Sequence, residues 1–276
     1  MEIRRIKLRK AELLICPVGD IQYQDGAFCE LDRLKRYIRW AVEQGGYLLG
    51  MGDMIDFLSP GNRQRLLAAS LYESAKEAID NAAFGLASDL YKKALRPSRG
   101  HWAGLLEGHH FYVSEGGLTT DQFLCERLKA PFLGNAAHII FEFPNGTECV
   151  VFAHHGAGSS QMLAGVFNRL EKLMRDHDAD VVLMGHQHKL AFLRATRLSV
   201  VKVDGEDCLK ERHVILGATG SYLRGYMQSS EVAGRPGGAY PEKMLLPPVA
   251  LGSGAIWVRP KRDKELEFKT SDNPLY

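Results

Sequence analysis

Five apolar runs punctuate the chain, and each stops abruptly at glycine, aspartate or histidine. They are Leu13-Leu14-Ile15-Cys16-Pro17-Val18 before Gly19-Asp20, Tyr47-Leu48-Leu49 before Gly50-Met51-Gly52-Asp53, Leu105-Leu106 before Glu107-Gly108-His109-His110, Cys149-Val150-Val151-Phe152-Ala153 before His154-His155-Gly156, and Val181-Val182-Leu183-Met184 before Gly185-His186-Gln187-His188. Short apolar runs bounded by turn residues predict buried strands. Between them the period changes to that of a helix. Leu31, Leu34, Ile38 and Val42 mark one, stopped by Gly45-Gly46. A long stripe over 64–95 (Leu67, Leu71, Ala75, Ile79, Ala82, Leu86, Leu90, Ala94) ends at Arg96-Pro97, with Gly85 as a point where it could split. That stripe predicts either a packed helix or a helical lid. Two further helices are expected over 120–129 and 161–177.

Runs at 138–143 and 148–153 flank Pro144-Asn145-Gly146-Thr147, and Asn-Gly between strand-like runs predicts a hairpin. Strands alternating with helices give an α/β class, and the hairpin makes the sheet mixed rather than purely parallel. Beyond His188, strands are expected at 213–216, 255–258 and 266–268, as material for a second sheet packed on the first. The Gly- and Pro-rich stretch 233–248 reads as a long ordered loop or a flap. Open α/β sheets collect ligands at the carboxyl ends of their strands, so five strands ending in Asp or His place one polar centre there.

Composition narrows this picture. The 276 residues are 45% hydrophobic, enough for a substantial core in one large domain or two small ones. A net charge of +2 gives no general attraction to polyanions, and the basic start (Arg4, Arg5, Lys7, Arg9, Lys10) reads as a solvated edge before it reads as a phosphate contact. No apolar run approaches the ~20 residues of a membrane span, and the charged N-terminus lacks a signal-peptide core. A cytoplasmic protein with no membrane partner is expected. The five cysteines are scattered, with no Cys-x-x-Cys pair; Cys16 and Cys149 read as small buried hydrophobes.

Taken in order, Asp20-Ile21-Gln22, Gly52-Asp53-Met54-Ile55-Asp56, Gly108-His109-His110, His154-His155-Gly156 and Gly185-His186-Gln187-His188 resemble the calcineurin-like metallophosphoesterase superfamily. Its pattern is Asp-x-His, Gly-Asp-x-x-Asp, Gly-Asn-His-Asp/Glu, a strand-end His, then Gly-His-x-His. The resemblance covers residues 13–190. Gln22 stands where the family has a metal-binding histidine, His109 where it has a metal-binding asparagine, and Phe111 where an acid usually follows the catalytic histidine.

The resemblance implies an αββα sandwich, two packed mixed β-sheets flanked by helices. It also implies a single domain over 1–276, with a helical insert at about 60–97 and a C-terminal β-rich extension at about 190–276. It assigns Asp20, Asp53 and His188 to a first metal, with Gln22 at the altered position. A second metal falls to Asp53, His109, His154 and His186. The expected cofactors are two divalent cations, manganese first, with iron, zinc, nickel or magnesium as alternatives. Imidazoles suit such metals, and a carboxylate such as Asp53 can bridge two of them. His110 is the expected catalytic residue, placed to protonate the leaving oxygen. His154 is preferred to His155 because it directly follows the strand. Asp56 reads as an outer-shell group that fixes the turn or a histidine tautomer.

His101, His138, His177 and His213 read as surface or packing residues, whereas Tyr222, Arg224, Tyr226 and Arg235 are candidates for gripping phosphate. The implied activity is hydrolysis of a phosphodiester or phosphomonoester by a metal-bridging hydroxide. The substrate is expected to be a nucleotide or nucleic acid first, and a phosphomonoester, including a phosphoprotein, second. The alternative is a catalytically weak scaffold of the same fold that binds protein.

Overall fold

The computed structural model describes residues 1–24, 28–203, 205–232, 235–238, 240–262 and 264–275. Two mixed sheets carry the predicted strands. The first has the order β1 (Glu2–Lys7), β5 (Ala136–Glu142), β6 (Glu148–His154), β7 (Val181–Met184), β9 (Glu206–Thr219), β8 (Leu190–Val203). The second has the order β13 (Leu266–Ser271), β12 (Ala255–Pro260), β2 (Leu13–Val18), β3 (Tyr47–Gly50), β4 (Trp102–Leu105). In each sheet the site strands run parallel, β2 with β3 and β4, and β6 with β7, so their carboxyl ends share an edge.

Alternation along the strands builds three apolar layers. Leu13, Ile15 and Leu49 of one sheet meet Ile139, Val151 and Leu183 of the other in the core between them. Leu14, Cys16 and Leu48 turn outward onto α1 (Leu31–Glu43), α3 (Glu73–Leu90) and α4 (Thr120–Leu128). Phe152, Val182 and Met184 turn outward onto α5 (Leu163–Asp176). The result is the expected helix, sheet, sheet, helix layering. Burial of Leu34, Tyr37 and Ile38 on α1 stabilises its docking by about 1.5–3 kcal/mol per large side chain. Helix α4 starts with a capping box, Thr119 with Gln122. The hairpin at Asn145-Gly146 forms as expected, with Gly146 at φ 77°. Cys16 and Cys149 are buried.

Three expectations are corrected. The long stripe breaks at residues 69–72 rather than at Gly85: α2 (Pro60–Ala68), capped by Ser59, ends at extended Ala69, and Gly85 lies inside an unbroken α3. Helix α3 is a packed helix that buries Ala83, Ala87 and Leu90, whereas α2 buries no residue. The late strands divide between the sheets rather than all entering the second. Strand β9 joins the first sheet while β12 and β13 complete the second. Within 233–248 the described part holds half of a short pair, β10 (Glu231–Val232) with β11 (Arg235–Pro236), and α6 (Tyr240–Lys243); residues 233, 234 and 239 lie outside the described residues. Among the described residues no helix is long and apolar enough to cross a membrane.

Candidate metal centre

The polar edge begins where the strands end, and there the backbone leaves its ordinary range. Asp20, Gln22, Asp53, His186 and His188 all have φ between 46° and 64°, the left-handed region. For a non-glycine residue this costs about 1–2 kcal/mol, and such strain clusters at functional sites. Backbone bonds between the loops hold it: Asp20 N donates to Gly52 O at 3.0 Å and Gln22 N to Asp53 O at 2.9 Å. The loops approach too closely for side chains at several glycines, Gly52 and Gly108 among them. A Cβ on Gly52 would lie 2.5 Å from His155 Nδ1, and one on Gly108 would overlap Asp53.

Asp53 is 2% exposed and divides its oxygens between two tasks. Oδ1 accepts from the backbone N–H groups of His109 and, at 2.9 Å, His110. Oδ2 faces His155 Nε2 at 3.3 Å. Ligand atoms of Asp53, His109, His155 and His186 all lie within 4.8 Å of one another. His109 Nδ1 and His186 Nδ1 are 3.2 Å apart.

The cluster contains His155, the neighbour of the residue preferred from the sequence, and not His154. Alternation along β6 is the reason. Val151 and Ala153 face the inter-sheet core, whereas Val150 and Phe152 face α5, and His154 is in phase with the latter pair. Its Nδ1 accepts from Gly156 N at 2.7 Å. His155, 1% exposed, donates from Nδ1 to Met51 O at 2.6 Å, which orients the ring and turns Nε2 to the cluster.

A second group adjoins the first. His188 Nε2 lies 3.4 Å from Asp20 Oδ1 and 3.2 Å from the side-chain amide nitrogen of Gln22. Asp20 Oδ2 accepts from His186 N at 2.8 Å. His110 stands beside both groups, with Nδ1 2.8 Å from Asp56 Oδ1 and Nε2 4.0 Å from Asp53 Oδ2. Asp56 therefore orients a histidine.

The charges divide by environment. Burial pushes the Asp53 carboxyl up, but the adjacent His155 imidazole outweighs it and holds Asp53 well below the usual carboxylate range. Burial lowers His155, and the Asp53 carboxylate overrides it and raises the imidazole to about 9. His109 falls to about 4, first through burial and then through repulsion by His155 and His186. Burial lowers His186 too, so these two rings are neutral, the form that binds metal. His110 is raised: burial opposes this, and the Asp56 bond together with the Asp53 charge prevails.

The donor set of Asp53, His109, His155 and His186 is of a kind that could hold a metal ion. Asp20 Oδ1, Asp53 Oδ2 and His155 Nε2 are buried without a hydrogen-bond partner, where buried polar atoms are nearly always paired. The 4.8 Å spread of the four-residue cluster is only slightly wider than twice a metal–ligand bond of about 2.0–2.2 Å.

Sequence reading missed three supports: Met51 O behind His155, Asp121, whose Oδ2 accepts from Gly108 N at 3.2 Å, and Arg63 of α2. Of these only Asp121 left a signal, an acid at the start of a helix. Of the candidate phosphate-gripping side chains, Tyr222 is buried, Arg224 bonds Glu30 at 2.5 Å and Tyr226 bonds Leu246 O at 2.5 Å, while Arg235 lies exposed on β11.

No protein-family model matches the chain, and no curated protein matches it. Among solved structures the chain is similar to vacuolar protein sorting 29 from Cryptosporidium parvum, with 14% identity over 94% of this chain and 97% of that one at a TM-score of 0.34. It is similar to the zinc-complexed vacuolar protein sorting 29 of Entamoeba histolytica, with 13% identity over 94% and 98% at 0.33. A conserved uncharacterised protein from Streptococcus pneumoniae, described as a predicted phosphoesterase, gives 12% identity over 95% and 99% at 0.34. These likenesses are weak, and the site assignments stand on geometry alone.

Proposed function

We propose that the protein is a phosphoesterase that uses two divalent cations, manganese first, to hydrolyse a phosphodiester, with a phosphomonoester as the second substrate class. One observation carries this reading: buried, unpartnered Asp53 Oδ2 and His155 Nε2 face each other inside a cluster completed by His109 and His186. Those four residues would hold one ion. Asp20, His188 and Gln22, with Asp53 between the two sets, would hold the other. Bound there, the cations would activate water and offset charge on the phosphoryl group.

The chain's own residues supply the remainder. Asp56 fixes His110 through Nδ1, leaving Nε2 toward the centre and the imidazole partly exposed, 28% at its side chain. The Asp56 carboxylate favours the protonated imidazole, and His110 would donate to the leaving oxygen. Asp53 Oδ1 holds the backbone of the His109-His110 turn while its other oxygen stays free for metal.

The test is metal analysis of the purified chain, with hydrolysis of bis-p-nitrophenyl phosphate and p-nitrophenyl phosphate before and after chelation. Bound transition metal, and turnover that chelation abolishes and Mn²⁺ restores, are expected. Tight metal with no turnover on either ester would favour the scaffold alternative, and absence of metal binding would overturn both the site and the activity.

A further inference from the structure

The turn that carries His109 and His110 is held at each end by acids and from outside by a base. Asp121 takes Gly108 N–H and Asp53 takes the next two N–H groups. The carbonyls point the other way, toward α2 and the segment that leads into it. Arg63 Nη1 donates to His109 O at 3.0 Å and to Phe111 O at 2.8 Å, and Phe57 N donates to His110 O at 3.1 Å. The guanidinium also lies 3.8 Å over the Phe111 ring. Helix α2 buries no residue, so these bonds rather than an apolar face tie it to the centre.

We propose that Arg63 is a positioning residue for His110: by bridging the carbonyls on both sides of it, Arg63 fixes the backbone that aims the imidazole between Asp56 and the scissile ester. This rests on the hydrolytic reading above. The physical case is one of rigidity. A bond from a guanidinium to a carbonyl is charge-assisted, and the planar fork stacked on an aromatic ring has few alternative placements. With Arg63 removed, two half-buried carbonyls lose their donor and the turn is free to shift toward solvent. A misplacement of about 1 Å costs on the order of 10²-fold in rate. Phe111, at the position where the resembled family carries an acid, serves here as the platform for this contact.

The experiment compares full-length wild type, Arg63→Ala and Arg63→Lys at saturating Mn²⁺, on bis-p-nitrophenyl phosphate and on diphenyl phosphate, whose leaving group needs protonation more. Arg63→Ala is expected to lower kcat on diphenyl phosphate about 10–100-fold, to lower it less on the nitrophenyl ester, and to leave KM within about twofold. Arg63→Lys should fall between and decides the matter if the Ala variant melts early. A raised KM with kcat kept would show that Arg63 grips substrate, and equal losses on both esters, or none, would likewise overturn the proposal.

A second readout needs no turnover. The ring ¹⁵N–¹H signals of His110, assigned by their absence in His110→Gln, should lose the Asp56-bonded Nδ1 proton in Arg63→Ala while those of His213 stay. If wild type hydrolyses neither ester, the activity reading fails alone and this signal judges Arg63: an unchanged His110 ring overturns its role.

Discussion

His155 Nε2 faces Asp53 Oδ2 at 3.3 Å in the buried centre, and the two are misaligned for a hydrogen bond. A buried polar atom left unpaired costs about 1–3 kcal/mol, so two of them aimed at one point mark a place for a third partner. Each is braced from behind, His155 by Met51 O and Asp53 by the His109 and His110 N–H groups. The bracing keeps both atoms aimed inward, as preorganised ligands require.

Asp53→Asn tests the charge at that point. The new side chain keeps an oxygen for the two N–H groups, so the chain should still fold, with a lower melting temperature in the metal-free protein because buried His155 loses its carboxylate partner. Metal affinity and hydrolysis should both fall by about 10²-fold or more, since even outer-shell changes cost about 10–100-fold. Near-normal turnover of the variant at saturating Mn²⁺ would sink the assignment.

His155→Ala and His154→Ala separate the neighbouring histidines. The first removes an atom from the four-residue cluster and should abolish tight binding of the first metal equivalent by calorimetry. The second removes a ring whose Nδ1 serves Gly156 N, and should leave that equivalent in place. A reversed outcome would restore the reading taken from the sequence.

Much of this was legible because β-strands declare their phase. The apolar runs before Asp20, Asp53, His109, His155 and His186 are abrupt, and they located the centre. The same alternation separates His154, in phase with Phe152, from His155, in phase with Ala153, a distinction that proximity to the strand does not capture. The left-handed backbone of Asp20, Gln22, Asp53, His186 and His188 was not legible, because local turn rules expect glycine or asparagine there. Bonds between loops distant in sequence impose it. Strands β8 and β9 were missed over much of their length because exposed Leu198, Val200 and Leu209 mix with charged residues and show no single buried face. Arg63 left no trace, sitting on a helix without an apolar stripe.

Asp121 gives a pH signature. It is fully buried, and burial pushes its carboxyl up from 3.8 to about 7, against the help of the Gly108 N–H. The folded state therefore favours the protonated form. Its contribution is complete below the unfolded value of 3.8, declines as pH rises, and is exhausted above about 7. In metal-stripped protein the stability of wild type relative to Asp121→Asn should fall by about 2.5 kcal/mol between pH 5 and pH 8, at about 1.4 kcal/mol per decade across most of that window. Asparagine keeps an acceptor for Gly108 N and does not ionise. Urea midpoints of the two proteins that move in parallel over this range would refute the buried-acid account.

On the proposed two-ion reading, Gln22 should decide whether the two ions are held equally. Its amide nitrogen lies 3.2 Å from His188 Nε2, beside Asp20 Oδ1, which has no hydrogen-bond partner of its own. Ligation by Gln22 needs a turn of the amide that presents its oxygen, a neutral donor weaker than imidazole toward Mn, Fe or Zn. The other set offers three imidazoles and a carboxylate, His109 included. One tightly held ion is therefore expected at Asp53, His109, His155 and His186, and an exchangeable one at Asp20, Gln22 and His188. Gln22→His supplies the missing nitrogen at a position already 6% exposed and already in the left-handed backbone form, so the strain does not change. Titration of metal-stripped wild type with Mn²⁺ should show two steps, the weaker one tracking activity. In Gln22→His the weaker step should tighten by about 10-fold or more, since inner-shell ligands weigh at least as much as the outer-shell groups worth about 10–100-fold. Two equally tight steps in wild type, or a variant curve superimposable on it, would show that Gln22 does not set the asymmetry.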